Sequence, residues 1–396
     1  MDPMDPLPDD SVAQTTTLFR SRLAVYVAFF LAGVGVGIWA THIPIVQSRL
    51  GIDPGVLGLA IFVMAGAAIA GMPAAGWALA RYGSRLPTGV TLIAFTALTP
   101  IPILAGSVPF FFAAVLVFGL TIGALDVSMN LQATEIEAAR RRPTMSSFHG
   151  FFSLGGLAGA GLGGAVIAIG WGDGSGAAIA AFLLLGLAVA ATVNLWPSAQ
   201  PIDAGPRFVL PSRAVLALGL LAFLSFAVEG AVTDWSALYL SSVKGASVAG
   251  AAAAFAAFSI TMAIFRLVGD FVVTRLGERP TLVAGGALIA AGMGLAVAVS
   301  SPALAAAGFA LVGVGAANVV PVVFGAASRA PGMPASLGVA AVATLGYVGF
   351  LIAPPTLGLV ARTFGLSVSL TIVALMGVVI AVVAAMRRWP GGTART

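Results

Sequence analysis

The chain has no cysteine, two histidines and a single lysine in 396 residues, and only 8% of its residues are charged. Without cysteine there can be no disulfide, no thiolate nucleophile and no thiolate zinc site. Two histidines leave little from which to build a dedicated metal centre. A soluble domain carries about a quarter charged residues, so the deficit of charge excludes an ordinary globular fold. The 59% hydrophobic content excludes a disordered chain as well. Cations outnumber anions nineteen to fourteen. No basic run is interleaved with aromatics, however, which argues against a nucleic-acid partner. What the chain has in abundance is apolar sequence, with a mean hydropathy of +1.06. That is the composition of a polytopic membrane protein.

A helix crossing the hydrocarbon core needs roughly 20 apolar residues. Twelve stretches qualify: 21–43, 55–80, 86–106, 108–132, 145–169, 176–196, 213–240, 247–272, 280–300, 302–326, 335–360 and 366–386. They are continuous and too long for the alternating strands, about ten residues each, of a membrane barrel. The first residues hold Asp2, Asp5, Asp9 and Asp10, unlike the basic start of a signal peptide, so the first span reads as a retained helix. With both termini cytoplasmic, every Lys and Arg falls in a cytoplasmic loop or tail except Arg49, Lys244 and Arg362 outside and Arg266 within a span. This asymmetry follows the positive-inside rule and places the chain in the inner (plasma) membrane with the lipid bilayer as its surroundings.

Residues 197–212, with four prolines, read as a cytoplasmic linker between six-span halves at 20–196 and 213–387, flanked by tails at 1–19 and 388–396. The halves align in parallel. Arg81-Tyr82-Gly83-Ser84-Arg85 matches Arg275-Leu276-Gly277-Glu278-Arg279, and Gly123-Ala124-Leu125-Asp126-Val127 matches Gly315-Ala316-Ala317-Asn318-Val319. Phe30 to Trp39 aligns with Phe226 to Trp235. The expected fold is therefore all-α: twelve transmembrane helices as two pseudo-symmetric six-helix bundles.

The R-x-G-x-R run at 81–85, with Gly76 before it, resembles the signature G-x-x-x-D-R-x-G-x-R of the major facilitator superfamily, with Ala80 at the Asp position. The segments at 123–130, 146–160, 229–240 and 315–329 resemble the MosC/YbjJ-like branch, which neighbours the fucose permease group. The resemblance implies a secondary transporter working by alternating access. The fucose permease group is expected to use a carboxylate in the first span together with one in the fourth. Here only the fourth-span acid, Asp126, is matched.

A charge at bilayer depth costs a few kcal/mol, so each intramembrane ionisable group needs a reason. Asp126 lies twelve residues before the turn near residue 138 and His149 eleven after it, about 17 Å from the turn in both cases at 1.5 Å per residue. Asn130 shares a face with Asp126. These three form either a polar site able to bind solute and exchange a proton, or an interhelical hydrogen bond that holds the bundle. Glu229 falls in the outer half of the seventh span as a cavity or proton-path candidate, and Asp234 beyond it as an outer gate contact or interfacial charge with Lys244 a possible partner. Asn318, which the repeat places opposite Asp126, completes the solute candidates. Trp39 and Trp235 are either stacking surfaces for a sugar-like ligand or interfacial anchors. Arg266 and Asp270, one turn apart, are expected to pair as an intracellular latch with Arg275, Arg81, Gly83 and Arg85. Arg275 also reads as a snorkelling interfacial side chain.

Glycine pairs such as Gly35-Val36-Gly37 lie inside apolar spans, so they are not nucleotide loops, and no cofactor or metal is expected. The helix-5 motif of proton antiporters is half matched by Gly150, Gly159 and Gly163. Drug or metabolite export by proton antiport is therefore the alternative. An intramembrane enzyme lacks its motifs, and a non-transporting receptor lacks a sensing domain. The expected protein is no enzyme. It is a monomeric carrier of a small polar solute, coupled to protons.

Overall fold

The structure is a computed structural model that describes residues 9–197 and 212–386. Among these residues there are fourteen helices and no strand: α1 (Asp9–Leu50), α2 (Pro54–Tyr82), α3 (Arg85–Leu98), α4 (Val108–Arg140), α5 (Met145–Ala168), α6 (Ser175–Thr192), α7 (Arg213–Ser242), α8 (Val248–Leu267), α9 (Gly269–Leu276), α10 (Glu278–Ala298), α11 (Pro302–Ala316), α12 (Val319–Ser328), α13 (Ala335–Phe364) and α14 (Leu366–Met386). Ten spans, one of them α11 continued by α12, are long and apolar enough to cross a membrane. The bent pair α8–α9 is an eleventh and the shorter apolar α3 a twelfth.

Four spans differ from their expected form, each for a local reason. The first helix begins at Asp9, inside the stretch expected to be a tail, and residues 1–8 lie outside the described residues. The third ends at Leu98 rather than near 106, because Pro100 and Pro102 cannot continue a helix. The eighth bends by 60° between Leu267 and Gly269. The tenth is interrupted at Ala317-Asn318, where Pro321 has no N–H and its ring collides with the carbonyl four residues back, that of Ala317. Most of the expected linker (198–211) and the tail at 388–396 lie outside the described residues.

The two halves repeat one set of pairings. In the first, α1 packs on α5, α2 on α4, and α3 on both α4 and α6. In the second, α7 packs on α13, α8 on α11, and α10 on both α11 and α14. Glycine sets the closest of these approaches. A Cβ on Gly155 would lie 2.1 Å from the Phe30 carbonyl oxygen, and one on Gly33 2.1 Å from that of Phe152. The α1 and α5 backbones therefore touch directly, which side chains would prevent. In the second half, Gly349 meets the Phe223 carbonyl at 2.3 Å in the same sense.

The halves meet through α2 against α13 and α5 against α8. These contacts gather toward the end that carries Arg81, Arg85, Arg140, Arg275, Arg279 and Arg329, called here the arginine-rich end. Gly76 faces Ala340 there, and Gly150 faces Leu267.

Candidate functional site

Interrupted helices leave backbone groups unpaired, and inside a membrane something must satisfy them. The two interruptions here satisfy each other. Asn318 Nδ2 donates to the Phe265 carbonyl at 3.2 Å, at the end of α8, and Arg266 Nε donates to the Ala317 carbonyl at 3.4 Å, the one displaced by Pro321. A Cβ on Gly269 would collide with Asn318 Oδ1 and with Ser146, so only glycine lets the breaks come this close. The exchange fixes Arg266 at the centre of the bundle, 6% exposed.

Around Arg266 a belt of polar groups is assembled from both halves. Its Nη2 donates to Glu229 Oε1 at 3.1 Å, an ion pair whose side chains are 7% and 13% exposed. Its Nη1 donates to Ser153 Oγ at 3.2 Å, on α5 of the other half. On α4, Asn130 Nδ2 donates to the Asp126 carbonyl at 2.8 Å and faces Asp126 Oδ1 at 3.4 Å, while Asn130 Oδ1 lies 3.1 Å from His149 Nε2. The second Asp126 oxygen, Oδ2, is buried without a hydrogen-bond partner among the described residues. The His149 ring sits between Phe29 of α1 and Phe324 of α12, at 5.2 and 5.9 Å. Tyr347 on α13 lies within electrostatic reach of both Asp126 and Glu229, so the two acids face one region from opposite halves.

The structure thus brings Asp126, Asn130, His149, Glu229 and Asn318 into one neighbourhood, and adds Arg266, Ser153 and Tyr347 to it. Arg266 and Asp270 do not form the expected latch. The bend between them turns Arg266 to Glu229 and sends Asp270 to the start of α5. Asp234 and Lys244 do not pair either. Among the described residues Lys244 donates to the carbonyls of Val297 and Val299, at 3.0 and 2.5 Å, and lies over the Tyr239 ring. Trp39 is buried against Phe111 and Phe118, 3% exposed, and so does not face the lipid. Trp235 is half-buried against Gly358, with its Nε1 lacking a partner.

At the arginine-rich end, among the described residues, contacts of the signature arginines run within single halves. Arg81 lies over the Tyr82 ring, Arg275 over Phe271, and Arg85 donates to the Val193 carbonyl at 2.8 Å, all within their own halves. Gly83 has φ +74°, a conformation L side chains avoid, so the turn requires it. The next residue, Ser84, is held by Gln132 and Glu135 of α4, both at 2.5 Å. The bridges are made instead at the start of α5. Glu137 Oε2 accepts from the N–H groups of Thr144 and Met145 at 2.8 and 3.0 Å. From the other half, Asp270 Oδ1 accepts from the Ser147 N–H at 3.2 Å. Arg329 then spans the seam, donating to Glu137 at 3.3 Å while also pairing with Glu278. A helix N-terminus favours anions because its first N–H groups are unpaired, by up to about 2 kcal/mol when partly buried.

The repeat places Gly76 opposite Asp270. One seam is thus glycine packed on alanine, and the other a carboxylate seated on a helix end. Asp270→Asn is expected to loosen the second. The natural absence of cysteine allows a clean readout, with a single cysteine placed at Ser146, 2% exposed against Gly269 of the other half. It should react with a membrane-impermeant thiol reagent severalfold faster in the Asp270→Asn background. Equal rates would show that the cap does not hold the seam.

Twelve apolar spans in two packed halves, with a buried polar belt shared between them, define a polytopic membrane transport protein. A profile of the Major Facilitator Superfamily matches residues 25–332. An MFS-type transporter of Yersinia pestis is 38% identical over 359 residues, covering 90% of this chain and 92% of that protein. The membrane protein MosC of Rhizobium meliloti is 32% identical over 362 residues, covering 90% and 88%. Among solved structures, FucP in its outward conformation superposes with a TM-score of 0.79 at 14% identity, over 94% of this chain and 100% of FucP. The chain belongs to the major facilitator superfamily.

Proposed function

We propose that this protein moves a small polar solute across the inner membrane by alternating access, as a monomer, coupled to protons. In this reading the arginine-rich end is cytoplasmic, with both termini on that side, and the halves at 20–196 and 213–387 rock about the polar belt. One observation carries it: Arg266 donates at once to Glu229 in its own half and to Ser153 in the other, so rearranging the halves must break a hydrogen bond made by a buried, paired charge. The glycines of the half-matched antiport motif are occupied in packing. Gly159 meets the Val34 carbonyl, Gly163 meets Thr41, and Gly150 meets Leu267, which favours no reading of export. FucP is a fucose:proton symporter. That is in keeping with solute uptake driven by protons.

Asp126 is a proton-carrying group in this proposal. It is buried, one of its oxygens has no partner, and the groups it touches are neutral. Reconstituted into proteoliposomes and offered a metabolite panel, the protein should accumulate solute when an inward proton gradient is imposed. Asp126→Asn should lower accumulation severalfold while leaving exchange of labelled for unlabelled solute intact. Gradient-driven uptake unchanged in the variant would remove Asp126 from the proton path.

A further inference from the structure

We propose that the transported solute carries a carboxylate, and that Arg266 binds it in exchange for Glu229; this rests on the transport reading above and names the solute's class. Among the described residues Arg266 is the only cation in the polar belt, and the other cations lie toward the ends of the helices. A guanidinium offers five N–H groups in a rigid fork suited to a two-pronged grip on a carboxylate. Here three are engaged: Nε by the Ala317 carbonyl, Nη1 by Ser153 and Nη2 by a single oxygen of Glu229. Nη1 and Nη2 each keep a second hydrogen. Glu229 therefore holds Arg266 through one contact where a carboxylate can make two.

Charge makes the exchange conditional. An anion arriving while Glu229 is ionised would leave a buried carboxylate without its partner, which is strongly disfavoured. A proton on Glu229 removes the conflict. Glu229 becomes neutral, Arg266 stays charged, and the solute carboxylate takes the place of the Glu229 carboxylate as its counter-ion. One proton enters on Glu229 with one monoanion, beside the proton on Asp126, and the summed charge of Arg266, Glu229 and the solute is the same before and after. On release Glu229 loses its proton and recovers Arg266.

The ionisable groups that interact with Glu229 are Arg266 on α8 and Tyr347 on α13; Tyr347 in turn interacts with Asp126 on α4, and Arg266 with His149 on α5. The other elements packed on α7, which are α11, α12 and α14, carry no ionisable side chain. The unpartnered Asp126 Oδ2 and the neighbouring Tyr347 can accept and donate to hydroxyls on the same solute. A hydroxylated monocarboxylate satisfies all of these groups. A neutral sugar leaves Arg266 unused, and an amine is repelled by it.

The test uses the full-length protein and matched sets of three- to six-carbon hydroxylated solutes, each supplied as carboxylate, neutral alcohol and amine. Thermal stabilisation of the purified protein and counterflow in proteoliposomes are the two readouts. In one set at least, the carboxylate should bind at least about tenfold more tightly than its counterparts, as a charge-assisted contact predicts. Its binding should weaken as the pH rises, and Glu229→Gln should flatten that dependence. Arg266→Gln should erase the preference for the carboxylate. Equal or better response to the alcohol or the amine overturns the inference and leaves the transport reading standing. So does a carboxylate preference that survives Arg266→Gln. No response to any solute overturns both.

Discussion

Arg266→Leu leaves Glu229 a buried carboxylate with no counter-charge, and the variant should lose about 3–5 kcal/mol of stability, the usual effect of removing one partner from a buried pair. The loss has three parts. Glu229 keeps the cost of its burial and forfeits the guanidinium 3.1 Å away. Ser153 loses the donor that ties α5 to α8. The Ala317 carbonyl, which Pro321 has already displaced from its helix, loses the Arg266 N–H that donates to it. Adding Glu229→Leu to Arg266→Leu should recover most of the deficit, because an apolar pair of similar volume avoids both desolvation and repulsion. Thermal unfolding of the detergent-solubilised protein measures this as a double-mutant cycle. Additive losses from the two single variants would show that the pair is not coupled as drawn.

Gly155→Leu should prevent the bundle from assembling. A Cβ at this position would lie 2.1 Å from the Phe30 carbonyl oxygen, 2.9 Å from its carbon and 3.0 Å from its Cα, all backbone atoms that cannot rotate away. Ordinary overpacking of a core costs about 1–3 kcal/mol because side chains shift. Here α1 as a whole must leave α5, and the Gly33 and Gly159 contacts along the same seam go with it. Gly164→Leu, nine residues on in the same helix, should be tolerated because nothing lies within 4 Å of its Cβ. Monodispersity of a fluorescently tagged variant on size exclusion separates the two. Equal behaviour would mean that the α1–α5 seam is not set by close backbone approach.

Some of the central site could be read from residue spacing alone. Asp126 and His149 are equidistant from one turn, and that placed them at one depth before any fold was known. Asn130 followed because it is one helical turn from Asp126. Glu229 was legible as a charge within an apolar span, and Asn318 through the repeat that aligns it with Asp126. Arg266 was legible as a buried charge but its partner was not. Reading α8 and α9 as one straight helix set Arg266 and Asp270 one turn apart on one face, whereas the bend at Val268 sends them to different neighbours. Pro321, four residues after Ala317, was the local signal that the tenth span must break. Nothing local indicated that its freed carbonyl would meet Arg266. Glu137 and Arg329 were likewise invisible as a bridge, since 192 residues separate them in the chain.

By itself the sequence determined that this chain is helical, that it lives in a membrane, and that it was built by repeating a six-span unit. Continuous apolar runs of span length have no other stable disposition of their backbone groups, and the paired glycine and arginine motifs recur at matching places in both halves. Which charges meet was decided only by the tertiary structure. Ion pairing across a bundle depends on helix rotation and on breaks of a few residues. These set by an ångström or two whether a buried carboxylate finds a guanidinium or a helix end, and no spacing along one chain encodes that distance.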